Sequence, residues 1–153
     1  MSKESSKPIE NKDQLAKDLT RYTFFSSFTP DEISLLLYCA EKVDLGKDET
    51  VFKEGDTGKY FYAILSGQVA IRKEKSGKVL ATLNPGDVFG EMAVLDNNPR
   101  SATATALEDA RLFAFDGRRL LEDFPHLSVK LLIYLSRELC KRLREADLMI
   151  DRF

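Results

Sequence analysis

Apolar residues recur at helical spacing from Asp13 to Phe28, with Leu15, Ala16, Leu19 and Tyr22 on one face. Thr29-Pro30-Asp31-Glu32 then opens a second helix: Thr29 suits the N-cap, Pro30 the first helical position, and Glu32 stands where a capping box requires it. Ile33, Leu36, Leu37 and Ala40 make its buried stripe. From Glu41 to Phe115 the pattern changes to short β segments broken by glycine, proline and polar turns. These start at Val43 and Leu45, then run over Thr50–Phe52, Tyr60–Leu65, Val69–Lys73, Val79–Leu83, Ser101–Ala106 and Arg111–Phe115. Ser76-Gly77 and Asn84-Pro85-Gly86-Asp87 mark turns. After Phe115 the helical period returns. Asp116 can cap a short helix, and Pro125 opens one of about 25 residues, ~38 Å long at the α-helical rise. The predicted fold is α+β, mainly β: a jelly-roll barrel flanked by N-terminal helices and a long C-terminal helix. Residues 1–12 are predicted to be a flexible polar tail. Residues 13–153 form a single domain, divided into helices 13–40, a β barrel 41–115 and C-terminal helices 116–153.

Composition narrows the function. The 153 residues carry 23 Lys plus Arg against 25 Asp plus Glu, a net charge of −2, which argues against binding nucleic acid through overall charge. No apolar run has the length of a membrane span, and the polar start lacks the apolar core of a secretory signal. Cys39 and Cys140 lie far apart and fit a reducing compartment, so a cytoplasmic location with no membrane contact is expected. The single histidine, His126, reads as a surface or capping residue, and no nucleophile–base pattern, metal-ligand spacing, EF-hand loop or Walker loop is present. No enzyme activity and no cofactor or metal is therefore expected.

One stretch departs from hairpin logic: Gly86-Asp87-Val88-Phe89-Gly90-Glu91-Met92-Ala93-Val94-Leu95-Asp96, then Asn97-Asn98-Pro99-Arg100-Ser101-Ala102-Thr103. Gly90 permits close backbone approach or positive φ before a short helix. That helix's first turn leaves N–H groups free to face an anion, Ala93 among them. Arg100 returns nearby with a planar fork of donors, and Ser101 adds a hydroxyl and an N–H. Glu91 would repel a bare phosphate, so its sensible partner is a sugar hydroxyl pair. One phosphate charge, one ribose and an apolar surround describe a cyclic nucleotide. The alternative is that Glu91 and Arg100 are an ion pair closing a loop, with the glycines as sheet corners.

The segments Phe89–Leu95 and Pro99–Thr103 resemble the phosphate-binding cassette of the cyclic nucleotide-binding domain family, the family of catabolite activator protein and the protein kinase A regulatory subunit. The resemblance extends, in order, to Phe52–Asp56, Phe61–Val69 and Leu83–Asp87, and covers about residues 20–150. It implies that Glu91 bonds the ribose 2′-hydroxyl and that Gly90 and Ala93 offer backbone contacts, with Met92 beside them in the cassette. Arg100 would pair with the cyclic phosphate, helped by Ser101 and the Ala102 N–H. The base would lie against Ile71, Leu80 and Val88, with Thr103 at the pocket edge. Ser101, where cGMP-preferring members often carry Thr, favours cAMP over cGMP as the ligand. The Thr-Ser pair by which the activator's long helix reaches adenine is replaced by Ala146 and Asp147, a departure from the pattern. Asp147 either accepts from the adenine amino group or is a solvated helix residue.

The same helix carries Leu132, Leu135, Leu139, Ala146, Met149 and Phe153 at three- and four-residue spacing. This stripe is either a homodimer seam or a face packed on the chain's own barrel. Arg137, Lys141, Arg142 and Arg144 on this helix read as a solvated basic face. Nothing resembles the helix-turn-helix that the activators use on DNA, so no direct DNA binding is expected. The expectation is a stand-alone receptor that moves its C-terminal helices and signals to a downstream protein. A ligand-free dimerisation or protein-interaction module with a degenerate pocket is the alternative.

Overall fold

The Thr29 hydroxyl accepts the Glu32 N–H, and the Glu32 carboxylate accepts the Thr29 N–H, so α3 (Pro30–Tyr38) begins at the predicted capping box. The computed structural model describes residues 6–7 and 9–151. The single helix predicted over 13–28 is two, α1 (Lys12–Leu19) and α2 (Thr23–Ser26). Tyr22 takes extended backbone between them, and the turn sends Phe24, Phe25 and Phe28 into the core. The N-terminal stretch also differs from the expected loose tail. Ser6–Lys7 form strand β1, paired with Val43 and Lys42 on the outer edge of β2 (Ala40–Leu45), and Ile9 is buried. An added strand satisfies backbone groups that this sheet edge otherwise exposes.

The remaining strands are β3 (Thr50–Phe52), β4 (Tyr60–Ser66), β5 (Val69–Arg72), β6 (Val79–Leu83), β7 (Val88–Phe89), β8 (Thr103–Ala106) and β9 (Ala110–Asp116). They form two antiparallel sheets, ordered β1-β2-β9-β4-β7 and β3-β8-β5-β6. The fold is thus the expected jelly roll with flanking helices, but as two sheets and not one closed ladder of strands. Val51, Phe52, Tyr62, Ile64, Phe89 and Leu112 pack between the sheets. The opposite face of β4 and β9 presents Phe61, Ala63, Phe113 and Phe115 to the helices. Burial on both faces explains why these two strands read as continuous apolar runs instead of alternating.

Phe61 and Phe115 stack at 5.1 Å, and Phe24 meets them and Tyr134 edge-on or tilted. Each such ring contributes roughly 1.5–3 kcal/mol through burial, so this cluster anchors helices to sheet. The cassette helix is α4 (Glu91–Asp96). Asp116 caps α5 (Gly117–Asp123) by accepting the Arg119 N–H, as predicted. The last helix, α6 (Pro125–Asp151), has 27 residues. Leu127, Leu131 and Leu135 bury its first half, and Lys130 donates to Glu32 at 2.6 Å.

The leucine stripe proposed for a dimer seam is therefore divided. Leu135 belongs to the chain's own core and Leu139 is half-buried, while Leu132 and Ala146 are exposed. The Met149 side chain and Phe153 lie outside the described residues. The apolar face open to solvent is a neighbouring one, with Val129, Leu132, Ile133 and Leu143 exposed.

Candidate functional site

The site grows from the turn between β7 and α4. Gly90 has φ +81°, the left-handed region, and serves as N-cap of α4. A Cβ there would also stand 3.1 Å from Arg100 Nη1 and 3.2 Å from the Phe52 ring, so the position needs glycine for conformation and for space. After α4, Asn97 takes a left-handed conformation and the chain turns back to Arg100. The Arg100 main chain is tied to the β3–β4 loop on both sides: its N–H donates to Asp56 O, and its carbonyl accepts from Gly55 N–H, each at 2.8 Å.

This fixes the Arg100 side chain inside the fold, only 5% exposed. Nη1 donates to Gly90 O and Nη2 to Tyr60 O, both at 2.7 Å, and the guanidinium lies over the Phe52 ring at 4.2 Å. Nε is the one buried side-chain polar atom without a hydrogen-bond partner among the described residues. Burial pushes the Arg100 pKa down, opposed by Tyr62, Asp56 and Glu91. A buried guanidinium with an idle N–H and no carboxylate bonded to it can receive an anion.

Glu91, at 2% exposure, is the facing charge. Its Oε1 accepts from Arg142 Nη1 of α6 at 2.6 Å, and Arg142 Nη2 donates to Val88 O at 3.3 Å. Glu91 and Arg100 are thus not the ion pair that the alternative reading of the loop required. Each has other partners, and both line one cavity of about 1040 Å³. A single cavity unites Gly90, Glu91, Met92, Ala93, Arg100, Ser101 and Ala102 with Ile71, Leu80 and Val88.

Thr103 and Asp147 are not brought to it. The Thr103 hydroxyl faces away, donating to Glu74 at 2.8 Å and accepting from Glu54 N–H at 2.9 Å. On α6 the cavity meets Tyr134, Glu138, Lys141, Arg142 and Glu145, one helical face. Asp147 is exposed, about 200° around the helix from Glu145. The sequence reading missed these α6 residues, along with Phe52, Arg21 and Tyr22. The i, i+4, i+7 spacing of Tyr134, Glu138 and Lys141 was the available signal. Burial raises the Tyr134 hydroxyl pKa to about 12, so it stays a neutral donor. Among the described residues, no cluster of three metal-ligating side chains occurs, and no helix is long and apolar enough to cross a membrane.

The cyclic nucleotide-binding domain profile matches residues 42–123, and the chain belongs to that family. The cyclic AMP receptor protein of Thermus thermophilus is 36% identical over 133 residues, covering 83% of this chain and 60% of that protein. The cAMP-dependent protein kinase regulatory subunit of Mycosarcoma maydis is 42% identical over 74 residues, covering 45% of this chain and 14% of that one. A crystal structure of a cyclic nucleotide-binding domain from Methylobacillus flagellatus superposes with a TM-score of 0.77 at 27% identity, covering 92% of this chain and 85% of that one. The chain thus spans 60% or less of the length of these two curated relatives, and the region shared is the binding domain. Those relatives are regulatory proteins.

Proposed function

We propose that this chain is a cyclic nucleotide receptor without catalytic activity, that its ligand is cAMP, and that it acts in the cytoplasm. The observation that carries this reading is the buried Arg100 guanidinium with its idle Nε–H, in one cavity with the buried Glu91 carboxylate. Arg100 takes the cyclic phosphate, with Ser101 and the Ala102 N–H beside it. Glu91 takes the ribose 2′-hydroxyl, Gly90, Met92 and Ala93 frame the sugar, and Ile71, Leu80 and Val88 receive the base. The names of the two curated relatives, a cyclic AMP receptor protein and a cAMP-dependent kinase regulatory subunit, support cAMP. A cGMP preference is the second reading, favoured by Lys141 and Arg142 at the cavity, since cationic donors suit guanine O6 and N7.

The output is movement of α6, read by a downstream protein. Homodimer formation along Val129, Leu132, Ile133 and Leu143, the exposed apolar face of that helix, belongs to the same reading. No direct DNA contact and no cofactor is part of it.

Calorimetric titration with cAMP and cGMP tests the reading. Arg100→Ala should weaken binding by about 30- to 1000-fold, roughly 2–4 kcal/mol for a largely desolvated charge pair. Chromatography after incubation should return the nucleotide intact. Undiminished affinity in Arg100→Ala, or consumption of cAMP by the parent, would sink it.

A further inference from the structure

We propose that Lys73, which lies outside the nucleotide cavity, is a positioning residue for its phosphate end: the ammonium group turns and polarises the Ser101–Ala102 peptide so that the Ala102 N–H faces the phosphate. This role rests on the receptor reading of the Arg100 site and extends that site to the β5–β6 hairpin. Lys73 directly follows β5, and the hairpin holds its main chain on both sides: its N–H donates to Lys78 O at 3.0 Å, and its carbonyl accepts the Gly77 N–H at 2.9 Å. From there Nζ donates to Ser101 O at 2.5 Å, a short charge-assisted bond. Lys73 is not part of the cavity wall, whereas Ser101 and Ala102 both line it.

A peptide unit is planar, and in the trans form its carbonyl and its N–H project from opposite edges. A cation that holds Ser101 O on the hairpin side therefore fixes the N–H of the same unit, that of Ala102, toward the cavity side. Among the described residues that N–H has no hydrogen-bond partner, although Ala102 is only 5% exposed. An unmet donor in such a place suits an anion. The ammonium also polarises: it draws electron density to the carbonyl oxygen and leaves the amide hydrogen more positive, so one bond strengthens the next. Neighbouring bonds keep Lys73 in place. Glu54 Oε1 stands 4.0 Å from Nζ and accepts the Glu74 N–H at 3.2 Å. Thr103 closes this frame by donating to Glu74 at 2.8 Å and accepting the Glu54 N–H at 2.9 Å.

The Lys73 side chain is 45% exposed, so solvent weakens its field and the expected loss of affinity is about fivefold, well short of that for Arg100→Ala. Calorimetry with cAMP should show that loss in Lys73→Met, with a Tm close to the parent's. Lys73→Arg, which keeps a charged donor, should return to within about twofold of the parent. Lys78→Met removes the same charge from the same hairpin but no bond to Ser101, and should bind like the parent once salt screens surface charges. Amide spectra add a readout that a loosened hairpin would not mimic: cAMP should move the Ala102 amide proton downfield in the parent and less far in Lys73→Met. Equal affinity of Lys73→Met and the parent, or an equal loss in Lys78→Met, overturns the proposal and leaves the receptor reading standing. So does an Ala102 amide proton that stays in place while cAMP binds the parent, a result that needs no variant to fold. A folded parent that binds neither cAMP nor cGMP overturns both.

Discussion

Replacing Gly58 by alanine puts a methyl group where the Arg100 guanidinium now lies. A Cβ on Gly58 would stand 2.6 Å from Nη2 and 3.1 Å from both Cζ and Nε. Its φ is not positive, so the backbone accepts alanine without strain. The relief must come from the arginine, which has to retreat by roughly 1 Å to reach ordinary contact distance. Its bonds to Gly90 O and Tyr60 O, both 2.7 Å, then stretch to the limit of hydrogen bonding. A guanidinium tip on a flexible stem moves cheaply, so stability should fall by only about 1 kcal/mol or less. Binding should suffer more, because the phosphate donor is no longer held in place. One misplaced charge-assisted bond is worth about 1.5–3 kcal/mol, or about 10- to 150-fold in Kd. Calorimetry with cAMP measures the affinity, and a thermal melt measures the fold. Binding within twofold of the parent in a well-folded Gly58→Ala protein would refute the claim that the berth of Arg100 sets affinity.

Glu91→Gln should cost less than Arg100→Ala and should shrink the preference for cAMP over 2′-deoxy-cAMP. A preference that survives unchanged in competition binding removes Glu91 from the ribose. The Glu32–Lys130 pair joins the start of α3 to α6, and the Lys130 bond, followed by the Thr29 N–H, holds the Glu32 carboxyl below its usual value of 4.5. A lowered folded pKa means the stabilisation is complete above that usual value and is lost as pH falls from there through the folded value. Lys130→Met should therefore lower Tm at pH 7, by the equivalent of about 1 kcal/mol or less for a partly exposed pair, and flatten the Tm decline below pH 4.5. Parallel Tm curves for the two proteins in acid would contradict that account.

Features coded locally were legible in the sequence. The capping box of Thr29 and Glu32, the Asp116 cap and the Gly90 turn each depend on residues within a few positions, and each lies where the residues predict. The cassette was legible for the same reason: Gly90 through Ala102 return to one cavity within a single short excursion of the chain. What failed depends on phase or on distant partners. Helical spacing identifies α6 but not how it is rotated against the sheets, and a two-residue error in phase turns a side chain by about 200°. Hence Asp147 points to solvent while Arg142 and Glu145 meet the cavity. For the same reason spacing alone left the leucine stripe open between a dimer seam and a face on the chain's own barrel, and packing claims Leu135 for the core. Strand β1 pairs with residues some 36 positions away, which a polar, Pro-containing stretch does not announce. The idle Nε of Arg100 is a three-dimensional fact throughout, since Gly58, Phe52, Tyr60 and Gly90 together decide what that side chain touches.

Nucleotide recognition in this chain turns on the phosphate meeting Arg100. Arginine Nε–Hε resonances of the 15N-labelled protein, recorded while cAMP is added, test this most directly, with Arg100→Lys identifying the peak. The Arg100 Nε–Hε peak should move far downfield and sharpen as an acceptor reaches it, saturating with the calorimetric stoichiometry. A peak that stays in place while cAMP binds would put the phosphate elsewhere, and no response anywhere at millimolar cAMP would remove the ligand altogether.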